Sequence, residues 1–266
     1  MRLRSPTSWR FMMTESSPFL DLKHVSFAYP DEAPIISCLS LSLAAGDFHC
    51  LVGRSGCGKT TLLKCAAGLL RPTSGTVRID GKPLSGPSRH VGFVFQTPSL
   101  LEWRTVRDNV LLPIALHRRV TRLDHDHALG LLAQMGIADH ADRYPQNLSG
   151  GQQSRVALAR ALVTNPPALC MDEPFAALDA ITRDELQNDL RQLTRASGTT
   201  VLFVTHDISE AVRLASHVSV MDAGQITRSL NVDLPVLADA QYATKAAALG
   251  QEIRTALMHS PKVAGA

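Results

Sequence analysis

The stretch that decides the fold reads Gly53-Arg54-Ser55-Gly56-Cys57-Gly58-Lys59-Thr60. It matches the pattern G-x-x-x-x-G-K-[ST] at every fixed position. The apolar residues 48–52 precede it and predict a strand, and residues 61–67 follow it and predict a helix that ends near Gly68. Glycines let successive backbone N–H groups point inward, and a helix N-terminus adds partial positive charge. The stretch therefore predicts a site for the phosphates of a nucleoside triphosphate.

The loop also predicts individual roles. Lys59 is expected to reach the β- and γ-phosphates, and the hydroxyl of Thr60 is expected to help hold Mg²⁺. Cys57 lies beside the helix N-terminus, which predicts a lowered thiol pKa and a reactive thiol. The residues predicted to bind nucleotide here are Gly53, Arg54, Ser55, Gly56, Cys57, Gly58, Lys59, Thr60 and Thr61.

Composition limits the class of protein. The chain has 266 residues, of which 45% are hydrophobic and 19% are charged, so it can bury a core. Its formal net charge of +3 is too small to indicate a nucleic-acid partner. Its 5 cysteines form no C-x-x-C pair, which predicts reduced thiols in a cytoplasmic protein. No apolar run approaches the ~18 residues that span a bilayer, so membrane contact is expected to be peripheral.

Domain organisation follows from where the sequence pattern changes. Residues 1–18 are predicted to be a flexible leader without a secretory signal, and translation could begin at Met1, Met12 or Met13. Residues 19–229 are predicted to form one domain with a helical insert at about residues 97–149, and residues 230–266 a C-terminal extension. The predicted fold class is α/β. It has a P-loop NTPase core with a mostly parallel sheet and flanking helices, an N-terminal antiparallel β region and an inserted α-helical subdomain.

Apolar alternation and helical periodicity predict the individual elements. Strands are predicted at residues 19–29, 39–43, 48–52, 76–80, 90–95, 168–171, 199–205 and 217–221. Helices are predicted at residues 61–67, 105–117, 124–134, 150–163, 179–195 and 208–215, with a weak helical pattern at 236–257. Pro113 is expected to kink or interrupt the helix that contains it.

Two adjacent carboxylates follow the apolar residues 168–171. Ligands lie at the carboxyl ends of strands in open α/β sheets, so Asp172 is placed to support Mg²⁺ and Glu173 to polarise an attacking water. Paired acids after a strand are also common in solvated turns. A mononucleotide kinase would share the phosphate loop, but a base beside the γ-phosphate favours hydrolysis over transfer to another substrate.

A second glycine-rich stretch, Leu148-Ser149-Gly150-Gly151-Gln152-Gln153, opens a predicted helix. Ser149 is a good N-cap, and the glycines leave backbone N–H groups exposed at the helix start, which predicts a second anion site. Two phosphate-binding loops in one chain indicate either two nucleotides or one nucleotide shared across a dimer.

Together these motifs resemble an ATP-binding cassette (ABC) ATPase subunit. Residues 148–152 match the signature motif of that family almost letter for letter, and the resemblance covers about residues 19–222. It implies that ATP is the nucleotide and that two copies pack head to tail, so that the signature loop of one closes over ATP held by the other. The residues that this resemblance places at the shared ATP are Ser149, Gly150, Gly151, Gln152 and Asp179.

The resemblance also assigns roles to single residues. It implies that Tyr29 stacks on adenine, that Gln96 contacts Mg²⁺ and the attacking water, and that His206 contacts the γ-phosphate. The expected catalytic residues are thus Glu173, His206 and Gln96, and the expected Mg²⁺ ligands are Thr60, Gln96 and Asp172. Asp179 matches a loop that communicates across the dimer, although Ala176 stands where relatives often carry glycine.

Two runs, residues 96–109 and 171–186, look like those of the importer subunits for nitrate, sulfonate, taurine and pyrimidine precursors. Such systems pair two ATPase subunits with two membrane permease subunits and an extracytoplasmic binding protein. This implies a peripheral protein at the cytoplasmic face of the bacterial inner membrane, with no nucleic-acid partner. Trp103 lies where the family docks its permease, and Glu102 stands where many of those relatives have proline. This segment faces the permease and not the cargo, so it carries no information on the solute.

Other interpretations are weaker. A soluble ABC ATPase of DNA repair or translation usually has two cassettes or a long coiled-coil insert, whereas this insert has about fifty residues. An exporter ATPase is more often fused to its membrane segment, and the signature loop argues against a P-loop kinase. The run Asp124-His125-Asp126-His127 resembles a set of metal ligands, but residues one or two apart on a helix do not share a face.

Overall fold

The computed structural model describes residues 18–234 and 241–258 of the chain. The leader predicted at residues 1–18 therefore lies outside the described residues, apart from Pro18. Within the described ranges the strands are β1 (Leu20–Phe27), β2 (Ile36–Leu43), β3 (Phe48–Gly53), β4 (Ser74–Ile79), β5 (Lys82–Pro83), β6 (Val91–Val94), β7 (Ala168–Asp172), β8 (Thr200–Thr205), β9 (His217–Asp222) and β10 (Gln225–Asn231). The helices are α1 (Lys59–Ala66), α2 (Val106–Ala115), α3 (Arg122–Gln134), α4 (Gly150–Leu162), α5 (Ala180–Ser197), α6 (Ile208–Leu214) and α7 (Tyr242–Met258).

A six-stranded sheet forms the centre of the fold, with the strand order β10-β9-β3-β8-β7-β6. Strands β9, β3, β8, β7 and β6 run parallel, and β10 pairs antiparallel with β9 at one edge. Every residue of β3, β7 and β8 is buried, because parallel sheets are covered on both faces. This arrangement confirms the predicted mostly parallel α/β core.

Alternate side chains of the central sheet face two separate hydrophobic clusters. Leu51 and Leu202 belong to a cluster with α1 and with a four-stranded antiparallel sheet of order β2-β1-β4-β5. Cys50 and Phe203 belong to the other cluster, which contains the buried apolar residues of α2 to α7. The antiparallel sheet confirms the predicted N-terminal β region. It also places α1, the helix after the phosphate loop, between the two sheets.

The helical insert consists of α2 and α3, which pack against α4. A fully buried side chain, Asn109, fixes the loop that precedes α2. Its Oδ1 accepts a hydrogen bond from the Leu101 N–H at 2.8 Å, and its Nδ2 donates to the carbonyls of Leu101, Arg104 and Thr105. These bonds hold the loop around Trp103 in one conformation on the surface of the insert.

The insert contains a proline within one helix and a charged cap at the start of the next. Helix α2 continues through Pro113 to the end of the helix at Ala115, so an interruption at this proline is wrong. Pro113 lies in the last turn, where its missing N–H removes only one helical hydrogen bond. Asp124 closes a capping box with Thr121 at the start of α3, and Arg118 pairs with both of its oxygens. Among the described residues, no group of three or more His, Cys, Asp or Glu side chains is placed to hold a metal ion.

The end of the described chain contains two further elements. No strand is predicted after residue 221, yet β10 pairs with β9 and extends the sheet to Asn231. The weak helical pattern at 236–257 corresponds to α7, which lies against α6, although residues 235–240 are outside the described ranges. The predicted domain boundaries stay a prediction. Among the helices described, none is long and apolar enough to cross a membrane.

Candidate active site

The phosphate loop joins β3 to α1 and has a backbone that demands glycine at two points. Gly58 is the N-cap of α1 and has a φ of +102°, a conformation that L side chains rarely adopt. At Gly53 an added Cβ would lie 2.4 Å from the carbonyl oxygen of Met221, so no side chain fits. Helix α1 therefore begins at the loop with N–H groups that no side chain caps, and these can face an anion.

Lys59 is the first residue of α1, and it is only 6% exposed. Its Nζ donates hydrogen bonds to the carbonyls of Gly53 at 2.8 Å and of Arg54 at 2.9 Å. None of the ion pairs within the described residues involves Lys59. A buried ammonium with carbonyl partners but no carboxylate partner fits the phosphates of a nucleoside triphosphate.

A pair of oxygen ligands lies next to this lysine. The Thr60 Oγ1 donates a hydrogen bond to Asp172 Oδ1 at 3.0 Å, across 112 residues of sequence. Asp172 ends β7 and is buried, and this burial, aided by the neighbouring charge of Glu173, raises the pKa of its carboxyl group. A hydroxyl and a carboxylate side by side are the kind of oxygen donors that Mg²⁺ takes together with phosphate oxygens, so the pair fits that ion.

Two of the three residues predicted to be catalytic, Glu173 and His206, lie in contact. Glu173 follows β7 and His206 follows β8, and His206 Nδ1 lies 2.9 Å from Glu173 Oε2. The Glu173 N–H donates to the Val204 carbonyl at 2.9 Å, and Glu173 has a φ of +45°. A positive φ in a residue other than glycine is strained and common at functional sites, and here it turns the carboxylate toward His206.

Gln96 and Tyr29 lie at the margins of this arrangement. Gln96 is exposed, two residues beyond Val94, and Val94 pairs with Met171, which lies two residues before Glu173. Gln96 and Glu173 thus both follow paired parallel strands and emerge at the same edge of the sheet. Tyr29 follows β1, is partly exposed and packs edge-on against the Phe27 ring with 5.0 Å between centroids. The turn that carries Tyr29 leads to Ile35, whose carbonyl lies beside Gly58 in the phosphate loop.

The signature residues are not part of this cluster. Ser149 is the N-cap of α4; its Oγ accepts from the Gln152 N–H, and the Gln152 Oε1 accepts from the Ser149 N–H. Gly151 faces α5, where an added Cβ would lie 2.8 Å from Thr182 Cγ2. No hydrogen bond or ion pair in the described parts of the chain joins residues 149–152 to the phosphate loop, Glu173 or His206. Within the described chain, Thr60 therefore contacts Asp172 and Glu173 contacts His206, whereas the signature loop has no hydrogen bond or ion pair to any of them.

The prediction that Cys57 is a reactive thiol is wrong. Cys57 is buried within the cluster that surrounds α1, and burial raises the pKa of its thiol. The positive charge of Lys59 and the backbone N–H groups act in the opposite direction but do not outweigh burial. Its place inside the loop is the predicted one, but its side chain points into the core cluster and not to solvent.

Two residues beside the site were not predicted from the sequence. Arg183 of α5 and Glu210 of α6 contact the residues on either side of His206. Arg183 Nη1 lies 3.7 Å from Asp207 Oδ2. The Thr205 Oγ1 donates a hydrogen bond to Glu210 Oε2 at 2.6 Å. Asp207 is the N-cap of α6 and Glu210 occupies the third helical position, so the D-x-x-E pattern of a capping box was a signal for Glu210. Arg183 has no comparable local signal, because its contacts cross between two helices.

A parallel sheet that brings a phosphate loop, two carboxylates and a histidine to the carboxyl ends of its strands defines a P-loop nucleoside triphosphatase, here with an inserted helical subdomain. The family model described as ABC transporter matches residues 36–176. That is more than half of the chain, so this protein belongs to the ABC transporter family. It is accordingly an ATP-binding protein and an ABC-type ATPase, as predicted.

Individual relatives support the same assignment. The aliphatic sulfonates import ATP-binding protein SsuB 2 of Agrobacterium fabrum is 45% identical over 206 residues, which are 77% of this chain and 76% of that protein. The SsuB protein of Cupriavidus pinatubonensis is 40% identical over 88% of this chain and 77% of its own length.

Solved structures confirm the fold class. A dimeric structure of the ATP-binding cassette MJ0796 bound to ADP and Pi has a TM-score of 0.73 and 32% identity, covering 80% of this chain and 98% of that one. The structure of cbiO1 from Clostridium perfringens, part of the ABC transporter complex cbiONQ, has a TM-score of 0.75 and 26% identity, covering 90% and 100%.

The burial of Cys57 predicts the pattern of thiol labelling. In the native full-length protein, an aromatic disulfide should label exposed Cys38 at least about tenfold faster than Cys57, because the buried thiol is both inaccessible and protonated. Cys38→Ser should remove the fast phase, and Cys57→Ser should leave it intact. Peptide mass spectrometry at early times reads the result, and rapid modification of Cys57 would contradict its burial.

The raised pKa of Asp172 predicts that replacing this residue has opposite effects on the stability of the protein and on its ATPase rate. Ionising this carboxyl group is unfavourable in the folded protein, so the contribution of Asp172 to stability should fall as the pH rises above the ordinary pKa of 3.8. Without nucleotide, Asp172→Asn should therefore unfold at equal or higher urea concentration than wild type at pH 7. With MgATP, the same variant should lose about 10²-fold in ATPase rate, as for a lost charge-stabilising group. A large loss of stability in the variant would instead make Asp172 a structural residue.

Proposed function

We propose that this chain is the ATP-hydrolysing subunit of a membrane importer for small anionic solutes, with an aliphatic sulfonate as the favoured solute class. The contact between Glu173 and His206 beside the buried Lys59 is the observation that supports hydrolysis. The names of the relatives support import over export and favour sulfonates over nitrate or pyrimidine precursors.

The proposed roles follow from the contacts. Lys59 and the loop amides bind the triphosphate, while Thr60, Asp172 and Gln96 hold Mg²⁺, which supplies charge neutralisation at the β- and γ-phosphates when bound. Glu173 accepts a proton from the attacking water, and its carboxylate is oriented by His206. A proton on Nδ1 of His206 would be donated to Glu173 Oε2, and the ring would donate to the γ-phosphate from Nε2 only where that nitrogen also carries a proton.

A head-to-tail dimer completes the site in this proposal. Ser149 is exposed and lies at the start of α4, where neighbouring N–H groups can face an anion, but its own subunit provides no phosphate loop in contact with it. The MJ0796 cassette is dimeric, which supports the same assembly here. The signature loop of one copy would then close on ATP bound to Lys59 of the other, with Asp179 at the contact and Tyr29 on adenine.

The permease is proposed to dock on the helical insert, which makes the subunit peripheral to the membrane. A groove of about 400 Å³, here called the docking groove, is lined on its apolar side by Phe93, Phe95, Leu112, Pro113 and Leu116. Leu116 is 74% exposed and borders the apolar side chains of the groove, so together they form an exposed apolar patch that a partner can cover.

Trp103 is also 74% exposed. The loop that carries it includes Ser99, which lines the docking groove, and this loop is hydrogen-bonded to α4. Arg160 of α4 donates from its guanidinium to the carbonyls of Pro98 at 2.7 Å and Ser99 at 2.9 Å. Through these hydrogen bonds, a displacement of the docking groove can be transmitted to α4, the helix that begins at the signature loop. An amphipathic cytoplasmic segment of a permease is the partner that this surface fits.

Replacing the proposed base separates binding from chemistry. Glu173→Gln keeps the size of the side chain but cannot accept a proton, so ATP hydrolysis should slow by about 10²–10⁴-fold. Nucleotide affinity should change little, because Lys59, Thr60 and Asp172 are untouched. With MgATP the variant should elute as a dimer in size-exclusion chromatography, and with MgADP as a monomer.

Adding Ser149→Arg to this variant should abolish the dimer, because a bulky cation cannot fit where the loop closes on phosphate. A Glu173→Gln protein that binds ATP tightly and stays monomeric would overturn the shared site.

The docking groove predicts how the permease controls the ATPase. The isolated subunit should hydrolyse ATP slowly, and the complex with its permease faster. Leu116→Ser should cut that stimulation at least about tenfold without changing the isolated rate, since burying a leucine is worth ~1.5–3 kcal/mol. Met258→Ser, at an exposed methionine on α7, serves as the matched control. Equal stimulation of both variants would place the permease elsewhere.

A further inference from the structure

Arg183 lies on α5, four residues after Asp179, and its guanidinium contacts three separate segments. Its Nη2 donates to the Leu178 carbonyl at 2.9 Å. Its Nη1 lies 3.7 Å from Asp207 Oδ2, and its Nε lies 3.8 Å from Glu210 Oε1. One rigid, planar group thus donates a hydrogen bond to the loop before α5 and lies within ion-pair distance of the residue after His206 and of the first turn of α6.

Glu210 connects this guanidinium to the end of β8. It is 6% exposed, and its Oε2 accepts from the Thr205 Oγ1 at 2.6 Å. The same Thr205 oxygen accepts from the Asp207 N–H at 3.0 Å, so the backbone on both sides of His206 is held. Burial raises the pKa of Glu210, and the charge of Arg183 opposes that rise. Arg183 therefore favours the ionised acceptor that holds this strand end.

From these contacts we propose that Arg183 is a positioning residue that couples the segment Leu178–Asp179 to the placement of His206 beside Glu173. The inference rests on the dimer of the proposed function, in which Asp179 meets the second subunit. When that subunit fixes Leu178–Asp179, the guanidinium transmits the position to Asp207 and so to His206. ATP hydrolysis then depends on a partner being correctly seated, and not only on ATP being bound.

The simpler explanation is that Arg183 only fastens α5 to α6, and the chain provides a matched control for it. Arg213 of α6 also bridges these helices, donating to Asp184 Oδ1 at 2.6 Å and Asn188 Oδ1 at 3.2 Å. Unlike Arg183, it makes no hydrogen bond or ion pair with residue 178, 207 or 210 in the described structure. A role in stability alone would give the two arginines the same phenotype.

The test compares Arg183→Met with Arg213→Met in the full-length chain. We expect Arg183→Met to lower kcat about tenfold to a hundredfold with the KM for ATP within about twofold, because it removes the charged hydrogen bond to the Leu178 carbonyl and the positive charge beside Asp207 and Glu210. Arg213→Met should leave kcat near that of wild type. Arg183→Lys keeps the charge but not the fork of donors, so its kcat should fall between wild type and Arg183→Met.

A second arm asks whether Arg183 acts through His206. In a His206→Ala background, adding Arg183→Met should cost less than about twofold more, because the residue that it positions is already absent. A full further loss in that background, equal kcat values for the two methionine variants, or a rise in KM in place of a fall in kcat would each overturn the proposal. If Arg183→Met does not fold, Arg183→Lys decides by the same criteria. The wild-type rate and the Glu173→Gln dimer, measured alongside, test the proposed function separately.

Discussion

The buried ammonium of Lys59 is the constraint on which the rest of the site depends. Removing a charge from water costs several kcal/mol unless other groups compensate for it. Two carbonyls of the same loop, from Gly53 and Arg54, supply part of that compensation. They can do so only if the loop bends back over the lysine, and at the start of the loop the Met221 carbonyl of β9 and the Cys57 thiol leave no space for a side chain at Gly53. Loop shape and lysine burial therefore require each other, and a phosphate is the natural source of the remaining negative charge.

The other groups reach this lysine through strand register. Because β7 pairs with β8 in parallel, Asp172 lies opposite Val204, and the residues that follow both strands emerge at one edge of the sheet. Glu173 and His206 meet there although 33 residues separate them. Small local distortions then set the final geometry, such as the positive φ of Glu173. The sheet thus delivers the side chains to one place, and the loops orient them.

How much the sequence predicts depends on how local the interaction is. The phosphate loop, the cap at Ser149 and the alternating strands rest on neighbouring residues, and the structure contains them where the patterns indicate. The thiol of Cys57 was mispredicted because its pKa depends on burial by residues distant in sequence. β10 was missed because an edge strand with mostly polar residues has no buried pattern. Arg183 could not have been found, since its partners lie on another helix and no spacing rule connects them.

Charge at the helix starts separates helices that suit phosphate from helices that do not. A helix N-terminus attracts anions, but a carboxylate at the cap or in the first turn already uses that attraction. Asp108 and Asp124 lie in the first turns of α2 and α3, and Asp179 and Asp207 cap α5 and α6. Among α1 to α6, the two without such a carboxylate are α1, capped by Gly58, and α4, capped by Ser149. These are the helices of the phosphate loop and the signature loop, so the charge at their starts favours phosphate, although α7 also has no acidic residue in its first turn.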